Sequence, residues 1–144
     1  MGIGLFAGTL DIGENLIFNT FRGITPTMVF QYIASGLIGA TARQGGLGAV
    51  LLGIVLHYLI ALIWTTLFYL ASRRLTLMTG RPIVCGLIYG GVVYLVMNFV
   101  VLPMSGVPHP AAAMSLASRI NGVLALLFCV GLPVSLLVSR YTRV

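Results

Sequence analysis

Apolar residues in this chain do not alternate with polar ones; they come in long runs separated by short polar punctuation. A helix needs about 20 apolar residues to cross the hydrocarbon core of a bilayer. Three runs meet that length: "LGAVLLGIVLHYLIALIWTTLFYLA" from Leu47 to Ala71, "IVCGLIYGGVVYLVMNFVVLP" from Ile83 to Pro103, and "INGVLALLFCVGLPVSLLV" from Ile120 to Val138. The first is closed by Arg73 and Arg74, the last by Arg140 and Arg143. A fourth segment, Gly2 to Phe21, has the length but carries acidic residues within it. The pattern therefore predicts transmembrane helices over residues 2–21, 47–71, 83–103 and 120–138.

Between the first two runs lies "ITPTMVFQYIASGLIGATARQGG". Thr25 followed by Pro26 is a helix-start signal, with threonine as N-cap and proline in the first turn. The helix it opens, over about residues 26–39, is too short to cross a bilayer, and Gly45-Gly46 ends the segment. It reads as an amphipathic or re-entrant helix at the interface. The later connection, "MSGVPHPAAAMSLAS", is marked as a loop by its prolines, and Pro110 is placed to open a helix into the last run. The expected fold is an all-α integral membrane protein. It is a single transmembrane domain over residues 1–144, a four-transmembrane-helix bundle with one additional short amphipathic/re-entrant helix. "GLFAG" at Gly4 and "GLIYG" at Gly86, with "IASGLIGA" at Ile33 and "LASRINGV" at Leu116, suggest a parallel two-span repeat.

Composition removes the soluble alternatives. Hydrophobic residues make up 59% of the chain, charged residues 7%, and the mean hydropathy is +1.09. A soluble domain carries about 25% charged residues. The net charge of +6 comes from eight arginines, since there is no lysine. They stand singly or in pairs between apolar runs, so the charge reads as topology and no nucleic-acid partner is expected. Arg73, Arg74, Arg81, Arg140 and Arg143 mark one side; Arg22, Arg43 and Arg119 mark the other. Arginine collects on the cytoplasmic side of a membrane, which places both termini inside. No basic n-region precedes "MGIGLFAG", so the first run is read as a retained span. Cys85 and Cys129 fall in apolar runs and read as small buried hydrophobes.

The chemistry concentrates in "GTLDIGEN". Asp11 and Glu14 are the only acidic residues of the chain, and Asn15 stands one turn from Asp11 on the same side of a helix. An acid at mid-membrane costs roughly 2.5–3.5 kcal/mol on insertion scales, so two of them must face the bundle interior. Asp11, Glu14 and Asn15 are thus a candidate proton or cation site, or a hydrogen-bonded structural knot. Arg119, His57, Asn98 and Asn121 are candidate polar partners. An arginine fork donates two hydrogen bonds to a carboxylate, and Arg119 stands at the matching depth. A Glu14–Arg119 ion pair is therefore expected, with Arg22 turned to the headgroups and Asp11 left free to titrate. His57 reads as an interhelical hydrogen bond rather than a ligand. A haem would ask for a second axial histidine, and His109 lies in the proline-rich loop. No metal or cofactor is expected. Gly4/Gly8 and Gly86/Gly90 are GxxxG pairs for close helix packing, and Trp64, Phe68 and Tyr69 suggest an interfacial aromatic belt. There is no Ser/His/Asp set, no HExxH and no phosphate-cradling glycine loop, so an enzyme is not expected.

At "QYIASG", "GGLGAVLLGIVLHYLIA", "FYLASRR" and "GLIYGGVVYLVMNFVVLPMSGVP" the chain resembles a family of small bacterial inner-membrane proteins of unassigned function. Its layout, four spans with a proline-rich loop after the third, is also similar to the YagU-like family. The resemblance implies a bacterial cytoplasmic membrane and no particular chemistry. Two functional expectations follow from the residues. One is a small proton- or cation-handling transporter or channel, homo-oligomeric in the bilayer, using the intramembrane carboxylates. The alternative is a non-catalytic accessory or assembly subunit of a larger membrane complex. With the orientation set by arginine, a reporter fused after Val144 should be cytoplasmic and a tag inserted at Gly106 periplasmic; finding both on one side would refute the four-span layout.

Overall fold

The computed structural model describes residues 1–108 and 115–142. His109 and Pro110 lie outside the described residues. Every regular element among the described residues is helical. Helix α1 spans Gly2–Thr20 and α2 spans Pro26–Ile38. A 3-10 turn over Gly39–Gln44 leads into α3, Gly46–Arg74. A short α4, Thr76–Gly80, precedes α5, Pro82–Met104, and α6 covers Leu116–Tyr141. Helices α3, α5 and α6 are long and apolar enough to cross a membrane. Helix α1 is not among them, because Asp11, Glu14, Asn15 and Asn19 dilute its hydropathy.

Local chemistry sets the helix ends. The Thr25 hydroxyl accepts from the Met28 N–H, and Pro26 fills the first helical position of α2. Gly39 stops α2 by adopting φ 67°, which β-carbon-bearing residues avoid. With 13 residues α2 is about 20 Å long at 1.5 Å per residue, short of the hydrocarbon thickness. Helices α5 and α6 each contain a π-turn, over Met97–Val101 and Leu126–Gly131. In both, the last widened bond runs from a leucine N–H, Leu102 to the Met97 carbonyl and Leu132 to the Leu127 carbonyl. Each leucine is followed by a proline, Pro103 or Pro133. A proline ring collides with the carbonyl four residues before it, and widening the preceding turn relieves that collision.

Helix α1 runs antiparallel to α6 along most of its length. Met1 and Ile3 lie beside Leu137 and Tyr141, while Arg22 just beyond the other end reaches Ser115 and Ser118. Its second neighbour is α3. A β-carbon on Gly4 would come within 2.9 Å of Leu62, and one on Gly8 within 3.0 Å of Ala61. Gly86 and Gly90 of α5 meet Gly131 of α6 backbone to backbone. The two "GLxxG" strings thus do the same packing work on different partners, whereas "IASGLIGA" sits in α2 and its turn and "LASRINGV" opens the long α6. Helix α2 crosses α3 with the Phe30 carbonyl lying on Gly53. The chain after α5 is tied to α2 by the Gly106 N–H, which donates to the Gly36 carbonyl at 2.9 Å.

Two small clusters form the core. Ala7, Phe68, Val130, Val134 and Val138 join α1, α3 and α6; Ala34, Ala42 and Ala49 fill the α2–α3 contact. Phe68 is fully buried, edge-on to Tyr89 at 4.8 Å. This corrects its reading as an interfacial residue: on α3 it falls on the face shared with α1 and α6. Cys85 and Cys129 are only half-buried. Outward, α3 presents Leu51, Val55, Leu59, Ile63 and Leu67 at every fourth position, an exposed apolar stripe suited to lipid.

The backbone contact at Gly131 yields a stability test. A methyl there would collide with the Gly86 carbonyl and stand 2.8 Å from the Gly90 nitrogen, whereas nothing lies within 4 Å of one on Gly91. Gly131→Ala should lower stability by about 1–3 kcal/mol, as overpacking does. Gly91→Ala should leave a detergent melt unchanged or raise it, since alanine is the better helix former.

Candidate functional site

The helical period turns Gly8, Asp11 and Asn15 of α1 to one side, and that side borders a cavity of about 290 Å³. Every long helix contributes to its wall: Asp11 and Asn15 from α1, His57 from α3, Asn98 from α5 and Arg119 from α6. Tyr94 of α5, Tyr32 of α2, Ser105 and Ser118 add further polar groups to the lining. Five of the residues singled out by sequence therefore share one space. Glu14 and Asn121 do not line it.

Glu14 has a different partner from the one expected. The Asn121 side-chain amide donates to Glu14 Oε2 at 3.3 Å, tying α1 to α6. The Arg119 side chain makes no hydrogen bond or ion pair with any described residue. The helix geometry explains the exchange. Residues two apart on a helix point about 200° away from each other, so the register that aims Asn121 at α1 turns Arg119 toward the cavity. Depth along the helix was matched correctly; direction around it was not.

His57 reaches the backbone of α1. Its Nε2 lies 2.8 Å from the Gly8 carbonyl, which can only accept, so Nε2 carries the proton and Nδ1 is the basic nitrogen. A β-carbon on Gly8 would crowd Ala61 and Tyr58, so the bare glycine lets α3 lie this close. One residue on, the Thr9 hydroxyl donates to the Leu5 carbonyl and sits 3.0 Å from the Tyr58 hydroxyl. With the threonine proton already committed, Tyr58 is the donor. Helices α1 and α3 are thus stitched by two adjacent polar contacts at the small-residue face.

Asp11 is different in kind. Its carboxylate makes no hydrogen bond to any described residue, yet it borders the cavity, with His57 and Glu14 near enough to act on it electrostatically. Asn98 spends one donor on the Tyr94 carbonyl at 2.9 Å. Asn15 accepts from Asn19 through its side-chain oxygen at 2.9 Å, leaving its amide donors unused by the described residues. The cavity therefore offers a free carboxylate, a half-used imidazole, amide groups and a guanidinium. That set can hold a polar solute or pass a proton, and it contains no activated nucleophile.

A second cavity, of about 650 Å³, adjoins the first and shares Asn15, Tyr32, Ser118 and Gly122 with it as common wall. Arg22 and Arg43 line it, with Asn19, Gln31 and Asn121. The sequence alone marks Arg43 only as topology and turns Arg22 to the headgroups. A signal was present nonetheless: with two acids against eight arginines, most of the cations had no possible acidic side-chain partner. No protein-family model matches the chain, and no curated protein or solved structure matches it either, so the site is interpreted from its geometry.

The partner exchange at Glu14 can be measured. In a double-mutant cycle on detergent melts, Glu14→Gln with Asn121→Ala should show coupling of about 0.6–1.7 kcal/mol, the range of interhelical polar contacts. Glu14→Gln with Arg119→Gln should be additive within about 0.5 kcal/mol. The reverse pattern would restore the ion pair.

Proposed function

We propose that the protein is a small multi-pass transporter or channel of a bacterial inner membrane, handling protons or cations at Asp11. One observation carries this reading: the Asp11 carboxylate borders an internal cavity and is hydrogen-bonded to none of the described residues. A carboxyl group kept only for helix docking needs partners, because an unpaired buried charge is costly. One kept for exchange needs access and an available lone pair, and Asp11 has both. His57, with Nδ1 unspent, is the adjacent group able to take up or return a proton.

The reading includes α1 as a fourth span. Helix α1 lies alongside α6 from the level of Tyr141 to that of Ser115, and α6 is long enough to cross. Its exposed large apolar residues are Leu5, Phe6, Leu10 and Ile17, which give it an apolar outer side. Helix α2, too short to span, serves as the re-entrant or interfacial element, and its Tyr32 faces both cavities. The arginine distribution places both termini in the cytoplasm. A bundle of this size has little room for a through-path inside one chain, so the path completes between protomers of a homo-oligomer. The accessory-subunit reading draws its support from the Glu14–Asn121 contact, an interhelical lock of the kind a docking protein needs.

The test uses proteoliposomes loaded with a pH-sensitive dye, with a potassium diffusion potential imposed. The wild-type protein should pass protons or a supplied monovalent cation. Asp11→Asn should cut that flux at least about tenfold, because an amide keeps the shape but cannot exchange a proton. Its melt should stay within about 0.5 kcal/mol of wild type, the margin of an uncoupled change. Equal flux in both proteins would move the assignment to the accessory subunit.

A further inference from the structure

The larger cavity has a charge problem the chain cannot solve. Arg22 is hydrogen-bonded to the hydroxyls of Ser118 and Ser115 and lies over the Phe18 ring at 5.5 Å, all neutral groups. The Arg43 guanidinium is hydrogen-bonded to no described residue. The chain has only two acidic side chains. Asp11 belongs to the other cavity, and Glu14 is taken by Asn121. Two guanidinium groups thus line one concave space with no carboxylate in its wall, and their counter-charge must come from outside.

Position and lining say which anion fits. Arg22 touches the first turn of α6, a helix of 26 residues and so about 39 Å long, which outreaches the roughly 30 Å hydrocarbon core. The cavity therefore lies at headgroup depth. One part of its wall is apolar, built from Phe18, Ile24, Met28 and Val29. Met28 is also exposed on the outer surface of α2, so the cavity borders the face that acyl chains would cover. A guanidinium pair matches phosphate oxygens through forked hydrogen bonds, and Gln31 and Asn121 supply neutral groups beside it. We propose that this cavity binds the phosphate headgroup of an anionic phospholipid, with Arg22 and Arg43 gripping the phosphate and the acyl chains lying over Met28. The inference is independent of the transport reading, since it concerns the other cavity and a different ligand.

Native mass spectrometry of the delipidated protein, titrated with phosphatidylglycerol, provides the test. The wild type should retain one lipid selectively. Arg22→Gln with Arg43→Gln should weaken that binding at least about tenfold, the scale of losing one charged contact. Arg140→Gln, which removes an exposed arginine outside both cavities, should leave it unchanged. The single change Arg43→Gln, at an exposed residue, is the safeguard should the double variant fold poorly; it should weaken binding while leaving the melt in place. Undiminished lipid binding in Arg43→Gln and the double variant, or an equal loss in Arg140→Gln, would overturn the assignment. So would displacement of the lipid by millimolar inorganic phosphate, which would make the occupant a soluble anion. Proton flux through Asp11 is read separately, so either proposal can fail without the other.

Discussion

The bundle is organised around the burial of one polar helix face. Helix α1 carries Asp11, Glu14 and Asn15 among apolar residues, and each acid turned to lipid would cost roughly 2.5–3.5 kcal/mol. The arrangement that avoids this cost seats α1 between two long apolar helices with its polar side inward. Gly4 and Gly8 let α3 come close enough for His57 to bond the α1 backbone. On the other flank α6 offers Asn121 to Glu14. The remaining carboxylate, Asp11, is the one for which no described side chain was provided.

Close contact and open space are complementary here. Where Gly86 and Gly90 meet Gly131, the backbones of α5 and α6 touch and no side chain separates them. Farther along the same pair, Tyr94 leans on Gly122 with its ring at 3.4 Å from where a β-carbon would stand. An aromatic ring spanning to a bare glycine makes a wall and leaves volume beside it, and that volume is the smaller cavity. The π-turns lie in these same stretches of α5 and α6. Each offsets the residues after it around the helix, so the faces before and after the bulge point differently. In α5 Asn98 stands within the π-turn itself and lines the cavity with its amide bonded one turn back.

What the sequence disclosed, and what it withheld, follows from the physics of each feature. Apolar run length is set by one helix and its surroundings, so α3, α5 and α6 are readable directly. The Thr25-Pro26 cap is equally local, and the Met28 N–H bond realises it. Asp11, Asn15, His57, Asn98 and Arg119 could be flagged singly because polar groups are rare in such a chain. Their convergence on one cavity depends on how four helices are rotated, which no single run encodes. The same missing rotation misassigned Glu14 to Arg119 and put Phe68 at the interface. The "VLP" and "GLP" strings that close the π-turns were in plain view, but only the neighbouring helix decides whether a proline kinks, ends or widens a turn.

The arginines separate into two groups by what surrounds them. Arg22, Arg43 and Arg119 line the two cavities at the end where α6 begins, whereas Arg73, Arg74, Arg81 and Arg140 line neither. Counting arginines to orient a membrane protein assumes that each is held by topology alone. Arginines retained for an anion would be kept on whichever side that anion meets them, and so carry no vote. Removing Arg22 and Arg43 from the tally leaves Arg119 against Arg73, Arg74, Arg81 and Arg140 among the described residues. The narrow majority widens under the proposed orientation. Under the two proposals the excess of cations and the scarcity of acids have a common cause: the chain keeps its two carboxylates for the interior of the bundle and leaves Arg22 and Arg43 to charges supplied by the membrane.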